Sequence, residues 1–172
     1  MVALPEAAPA VDGWRERTCA DRPSVGVPPH VTLLFPFVPA AELCAGTIDR
    51  LHRLFARFPA FDVVLRELRR FAGVLYLAPE PDEPFRRLLE AAADAYPEHP
   101  PYGSEIPLDQ VVPHVTVAHG DPALLDEAEE DVAAALPIAS AVREVALLEE
   151  VEPDWGRWRV RATVPLGPPQ AS

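Results

Sequence analysis

Two histidines stand in identical settings, Pro29-His30-Val31-Thr32 and Pro113-His114-Val115-Thr116, each followed by further apolar residues. Five His and five Thr in 172 residues would give about 0.15 His-x-Thr matches by chance, so two identical copies need a cause. In a strand, residues two apart project to the same face, which puts each His beside its Thr while the intervening Val faces the core. Two such strands can set two imidazoles and two hydroxyls around one tetrahedral anion. Cleavage of a phosphodiester asks for that kit. A base takes the proton of the attacking oxygen, an acid protonates the leaving oxygen, and hydroxyl donors hold the non-bridging oxygens in line. Histidine serves both roles because its pKa of about 6.5 leaves both protonation states available near neutrality. A single His-Val-Thr reads more simply as a buried strand whose imidazole meets backbone partners; the repetition points to a functional pair.

The elements that must position these residues recur in the same order after each motif, which makes internal duplication the simplest account of the chain. The first copy opens with a strand over 31–37 and enters a helix with the stripe Cys44, Ile48, Leu51, Phe55 and Phe58. Strand segments around Phe61–Leu65 and Val74–Leu77 follow. The second copy opens with a strand over 115–118 and enters a helix at Asp121-Pro122, an N-cap with proline at the first helical position. Its stripe is Leu125, Ala128, Val132 and Ala135, and strands over 141–151 and 157–165 close the chain. From His30 to Val74 is 44 residues and from His114 to Arg157 is 43. A helix over 84–96, with Phe85, Leu88, Leu89, Ala92 and Tyr96 on one face, joins the halves, and the Pro-rich stretch 97–107 is a loop ahead of the second motif. The expected architecture is α+β: two pseudo-symmetric β-α-β-β lobes with antiparallel sheets flanking a central groove, all within a single domain spanning 1–172. Residues 2–4 are expected as an added edge strand and the tail from Gly167 as frayed.

Composition narrows the function. The formal charge of −12 opposes a broad grip on duplex DNA or long RNA, whose binding depends on many cation contacts to phosphate. A small nucleotide or an RNA end remains compatible. All fifteen cations are Arg and none is Lys, which excludes Lys nucleophiles and Walker-type phosphate loops. Cys19 and Cys44 have no metal or redox spacing and read as free thiols. Residues 1–9 lack a basic, then apolar, leader pattern, and the longest apolar run is too short and too Pro-rich to cross a membrane. A cytoplasmic monomer is the expectation, with no membrane partner, no metal and no cofactor.

Pro-His-Val-Thr-Leu-Leu-Phe and Pro-His-Val-Thr-Val-Ala-His resemble the paired motifs of the two-histidine phosphoesterase superfamily, especially its 2'-5' RNA ligase-like branch. The resemblance covers most of the chain. It implies metal-independent action on 2',3'-cyclic phosphates or 2'-5' phosphodiesters of nucleotides or RNA ends. By position it implies that His30, with Thr32, is the general acid and that His114, with Thr116, is the general base. Phe35 matches an aromatic that often follows the first motif and is a candidate base contact. The branch often carries Arg three residues after the second Thr; this chain has His119 there, a weaker phosphate ligand when neutral. His119 therefore reads either as a phosphate ligand or as a loop residue at a strand end.

Other residues carry less. Tyr102, in the loop before the second motif, can stack on a nucleobase, although a Pro-Pro-Tyr-Gly turn needs no ligand. Arg157, Arg159 and Arg161 alternate with Trp158, Val160 and Ala162, giving a cationic face that is more simply a solvated sheet surface than a phosphate wall. Trp155 and Trp158 read as anchors of the last strand, and the acidic run 126–131 as the wet face of its helix. Two rival readings stand beside the phosphodiesterase. One is a zinc hydrolase using His30, His114 and His119. The other is a groove that binds nucleotides or RNA ends without turning them over.

Overall fold

A computed structural model describes residues 1–19, 26–152 and 156–169. The elements in chain order are β1 (Val2–Ala3), α1 (Ala8–Thr18), β2 (His30–Val31), α2 (Ala45–Phe55), β3 (Phe61–Phe71) and β4 (Val74–Glu80), then α3 (Glu83–Ala95), β5 (Val115–His119), α4 (Pro122–Ala133), β6 (Ile138–Val142), β7 (Glu144–Glu152) and β8 (Arg157–Pro165). The fold is α+β, and every ladder between named strands is antiparallel.

One sheet has the order β5-β4-β3-β6. The pairs β1-β2 and β7-β8 are joined because Met1 and Ala146 exchange two backbone hydrogen bonds, at 2.8 and 2.9 Å. That places β2, β1, β7 and β8 side by side. The motif strands occupy equivalent registers, Val31 opposite Val2 on β1 and Val115 opposite Leu77 on β4. All four of these residues are buried at 1 % exposure or less.

This pairing corrects the expected layout. Residues 2–3 do not form an edge; they lie between β2 and β7, and Leu4 donates its N–H to the Pro29 carbonyl. The strand pairs are also shared between the halves: β5 pairs with β4, from the first half, while β2 reaches β7, from the second half, through β1. Each motif strand thus joins the hairpin of the other half. The run 141–151 is not one strand. It breaks at Arg143, whose guanidinium donates to the Phe61 carbonyl and pairs with Asp62 at 2.8 Å. The single residue between β6 and β7 sends the chain from one sheet to the other.

The helices cover these sheets with the faces that their spacing dictates. On α3, Phe85, Leu88, Leu89 and Ala92 are buried, with Tyr96 buried just beyond its end. On α4, Leu125, Ala128 and Val132 are buried, and the Asp121 side chain caps the Leu124 N–H at 3.0 Å. The α2 stripe begins later than expected: Cys44 is an exposed N-cap, and Leu51, Leu54 and Phe55 carry the burial. The acidic run on α4 is not merely solvated. Asp126 and Glu129 bind Arg70 of β3, and Asp131 accepts from the Trp14 indole at 2.7 Å.

The strand expected over 31–37 survives only as β2, because Pro36 and Pro39 cannot donate to a ladder. The frayed tail is in fact held as far as Gly167, which exchanges backbone hydrogen bonds with Phe58 and Ala60. Residues 170–172 lie outside the described residues, as does Trp155. Cys19 and Cys44 are free thiols. No helix among the described residues is long and apolar enough to cross a membrane.

Candidate active site

Burial alternates identically through both motifs. Pro29, Val31 and Leu33 are buried and His30 and Thr32 are half-buried; Pro113, Val115 and Val117 are buried and His114 and Thr116 are half-buried. The period-2 pattern therefore does what strand geometry requires, turning His and Thr together away from the core.

Both rings are held in the same way. His30 Nδ1 lies 2.8 Å from the Pro28 carbonyl and His114 Nδ1 lies 2.7 Å from the Val112 carbonyl, in each case two residues upstream. A carbonyl only accepts, so Nδ1 carries the proton in both rings, and Nε2 is the nitrogen left for substrate. Desolvation pushes the His30 pKa down to about 4; its carbonyl bond opposes this, while Arg15 and His114 add to the lowering. Desolvation likewise lowers the His114 pKa, against the raising effect of the Val112 carbonyl.

The surroundings of the two rings differ. His30 and Thr32 line a cavity of about 930 Å³ with Phe35, Tyr102 and Trp158. Thr32 shares a hydrogen bond with the Tyr102 hydroxyl, whose pKa burial raises. Tyr102 has left-handed backbone angles (φ 52°, ψ 31°), which a non-glycine residue rarely adopts and which cost of order 1 kcal/mol or more. Its N–H is fixed to the Phe35 carbonyl at 2.8 Å, so the 97–107 loop is pinned over the first motif. Phe35 is 53 % exposed and meets Trp158 edge-on at 6.1 Å.

His114 does not line that cavity. It rests instead against Phe71 and Tyr76, at 5.2 and 5.5 Å between ring centroids. Those two aromatics stack on each other at 4.2 Å. The hairpin between Phe71 and Val74, with Gly73 at φ 74°, brings them together from β3 and β4. Neither was anticipated as a site residue. The signal was the alternation of β4, in which Tyr76 falls on the face opposite Leu75 and Leu77.

His119 is an exposed residue at the end of β5, and its N–H donates to Thr18 Oγ1 at 3.1 Å. Simple alternation from Thr116 would turn it to the other face. The ladder slips by one residue, however: Tyr76 pairs with Thr116, Leu75 with Ala118 and Val74 with His119. The extra Val117 restores His119 to the face of His114, Thr116 and Tyr76. Among the described residues no group of three or more His, Cys, Asp or Glu is arranged to hold a metal ion. His30, His114 and His119 are not gathered into such a group.

Trp158, expected as an anchor of the last strand, is among the residues that line the cavity. Val160 is 49 % exposed. Arg159 and Arg161 pair with Glu149, which makes their face an ion-paired surface.

Comparison with known proteins places the chain in a family. Residues 3–154 match the sequence model of the 2'-5' RNA ligase superfamily. A Bacillus licheniformis protein named for an inferred phosphoesterase activity is 30 % identical over 149 residues, covering 82 % of each chain. The crystal structure of TT0787 from Thermus thermophilus superposes with a TM-score of 0.62 at 23 % identity, covering 96 % of this chain and 94 % of that one. Escherichia coli LigT complexed with 3'-AMP gives 0.58 at 19 % identity, with the same coverage.

Proposed function

This chain belongs to the 2'-5' RNA ligase superfamily and is a phosphoesterase of that kind, and from that premise we propose that it cleaves 2',3'-cyclic phosphate or 2'-5' phosphodiester bonds of nucleotides or RNA ends without a metal. The observation that carries this reading is the matched anchoring of the two rings through Nδ1, which leaves two Nε2 atoms for two proton transfers. Crystals of LigT with 3'-AMP make a nucleotide the natural first substrate to test.

In this mechanism His114 Nε2 takes a proton from the attacking water as the new P–O bond forms. His30 Nε2 gives its proton to the departing oxygen as the old P–O bond breaks. The low pKa of His30 makes it a strong donor once protonated, and the negative charge of a bound phosphodiester favours the protonated ring. Thr32 and Thr116 donate to the non-bridging oxygens, and His119 supports the phosphate from the His114 side.

The experiment is turnover of the four 2',3'-cyclic nucleotides and a 2'-5'-linked dinucleotide with chelator present. His30→Ala and His114→Ala are each expected to lose about 10²–10⁴-fold. Turnover that survives in both variants overturns the paired-histidine mechanism, and turnover abolished by chelator overturns its metal independence. Binding without turnover assigns the groove to nucleotide capture alone.

A further inference from the structure

The cavity beside His30 is poorly suited to a polyanion. Its walls are mainly aliphatic and aromatic, among them Leu34, Phe37, Leu43, Leu147 and Trp158. Its charged lining side chains, among the described residues, are Glu149 and Glu150, and the Glu149 carboxylate is turned to Arg159 and Arg161. No arginine among the described residues lines it, so an extra phosphate entering it would find two carboxylates and no guanidinium on its walls.

A nucleobase is a poor match for the depth of the space as well. Its ring face can lie on Phe35 and Trp158 at the mouth, but its polar edges would lose water without finding donors and acceptors along the aliphatic walls. The volume of about 930 Å³ is that of a pocket for a whole drug-sized group.

We propose that the His30 cavity receives a bulky, uncharged, apolar ester arm of the phosphodiester, alkyl or aryl. The proposal rests on the reading that His30 and Thr32 bind the phosphate. The substrate class is then a phosphodiester with one charged phosphate whose arm on the His30 side is lipophilic, and a strand continuing through further phosphates is disfavoured on that side.

The test is calorimetric titration with methyl, butyl and octyl phosphate, with adenosine 3',5'-bisphosphate as the charged comparison. Affinity should rise about fourfold per methylene from butyl to octyl, the effect of burying about 0.8 kcal/mol per CH₂. Both Leu43→Glu and Trp158→Ala should flatten that rise, and either suffices if the other fails to fold. Affinity independent of chain length, a bisphosphate that binds more tightly than octyl phosphate, or a rise unchanged in the cavity variants each overturns the proposal. Because the readout is binding, a chain-length rise without turnover of cyclic nucleotides refutes the nucleotide reading and keeps the cavity assignment. Turnover without the rise does the reverse.

Discussion

The sharpest prediction concerns pH. Productive catalysis needs one proton on the histidine pair, so kcat/KM follows the fraction of free protein that carries one there. His30 is held at about 4 by desolvation, and His114 lies below its ordinary 6.5 for the same reason. At pH 7.5 only about one His30 in 3000 is protonated, from a gap of about 3.5 pKa units. The alkaline limb of kcat/KM should therefore begin below pH 6.5, with the rate falling throughout the range from 6.5 to 8. The kcat limb should sit at higher pH, since bound phosphodiester favours the imidazolium. Initial rates well below KM on a turned-over 2',3'-cyclic nucleotide, from pH 4.5 to 8.5, measure this directly. A kcat/KM that is level or rising between pH 6.5 and 8 would refute the reasoning, because it would mean that the rings keep their protons despite burial.

Two further outcomes follow from the same groups. Above pH 6.5 His30 is neutral whether folded or unfolded, while between 6.5 and about 4 only the unfolded chain takes up the proton, so stability falls as pH falls through that window. The cost reaches about 3 kcal/mol, and His30→Gln should remove it, as seen in urea unfolding of both proteins at pH 7 and pH 4; an equal pH response in the two would sink the idea. Phe71→Ala should admit water to the His114 ring and move the alkaline limb of kcat/KM to higher pH, a change that loss of packing alone would not produce and that the same rate profile reads.

Much of the site was legible because it depends on local rules. Two-residue alternation placed His30 with Thr32 and His114 with Thr116, and helical spacing gave the buried face of α3. What escaped depends on partners distant in sequence. Alternation marks the apolar face of β1 but not the strand beside it, so Val2 and Leu4 read as an edge although both are fully buried. The face of His119 turns on the one-residue slip at Val117, which no periodicity reveals. Helix α1 went unanticipated because Pro9 and Gly13 interrupt its pattern and only Val11 and Trp14 are buried on it. Tyr76 was readable in principle, as the off-face residue of β4, but a short apolar run conceals its own polarity.

The shared pairing of strands has a consequence for the chain's history and its tolerance to breakage. A cut in the 97–107 loop gives a front fragment with β1 to β4 and a rear fragment with β5 to β8. Each then owns two strands of each four-strand set and completes neither. Deleting one half would leave two raw sheet edges with one of the two motif histidines, where a bead-on-a-string protein would leave a smaller working unit. Separated pieces would regain their form only by finding each other, and an ancestral half-length chain of this plan would have had to exist as an intertwined pair.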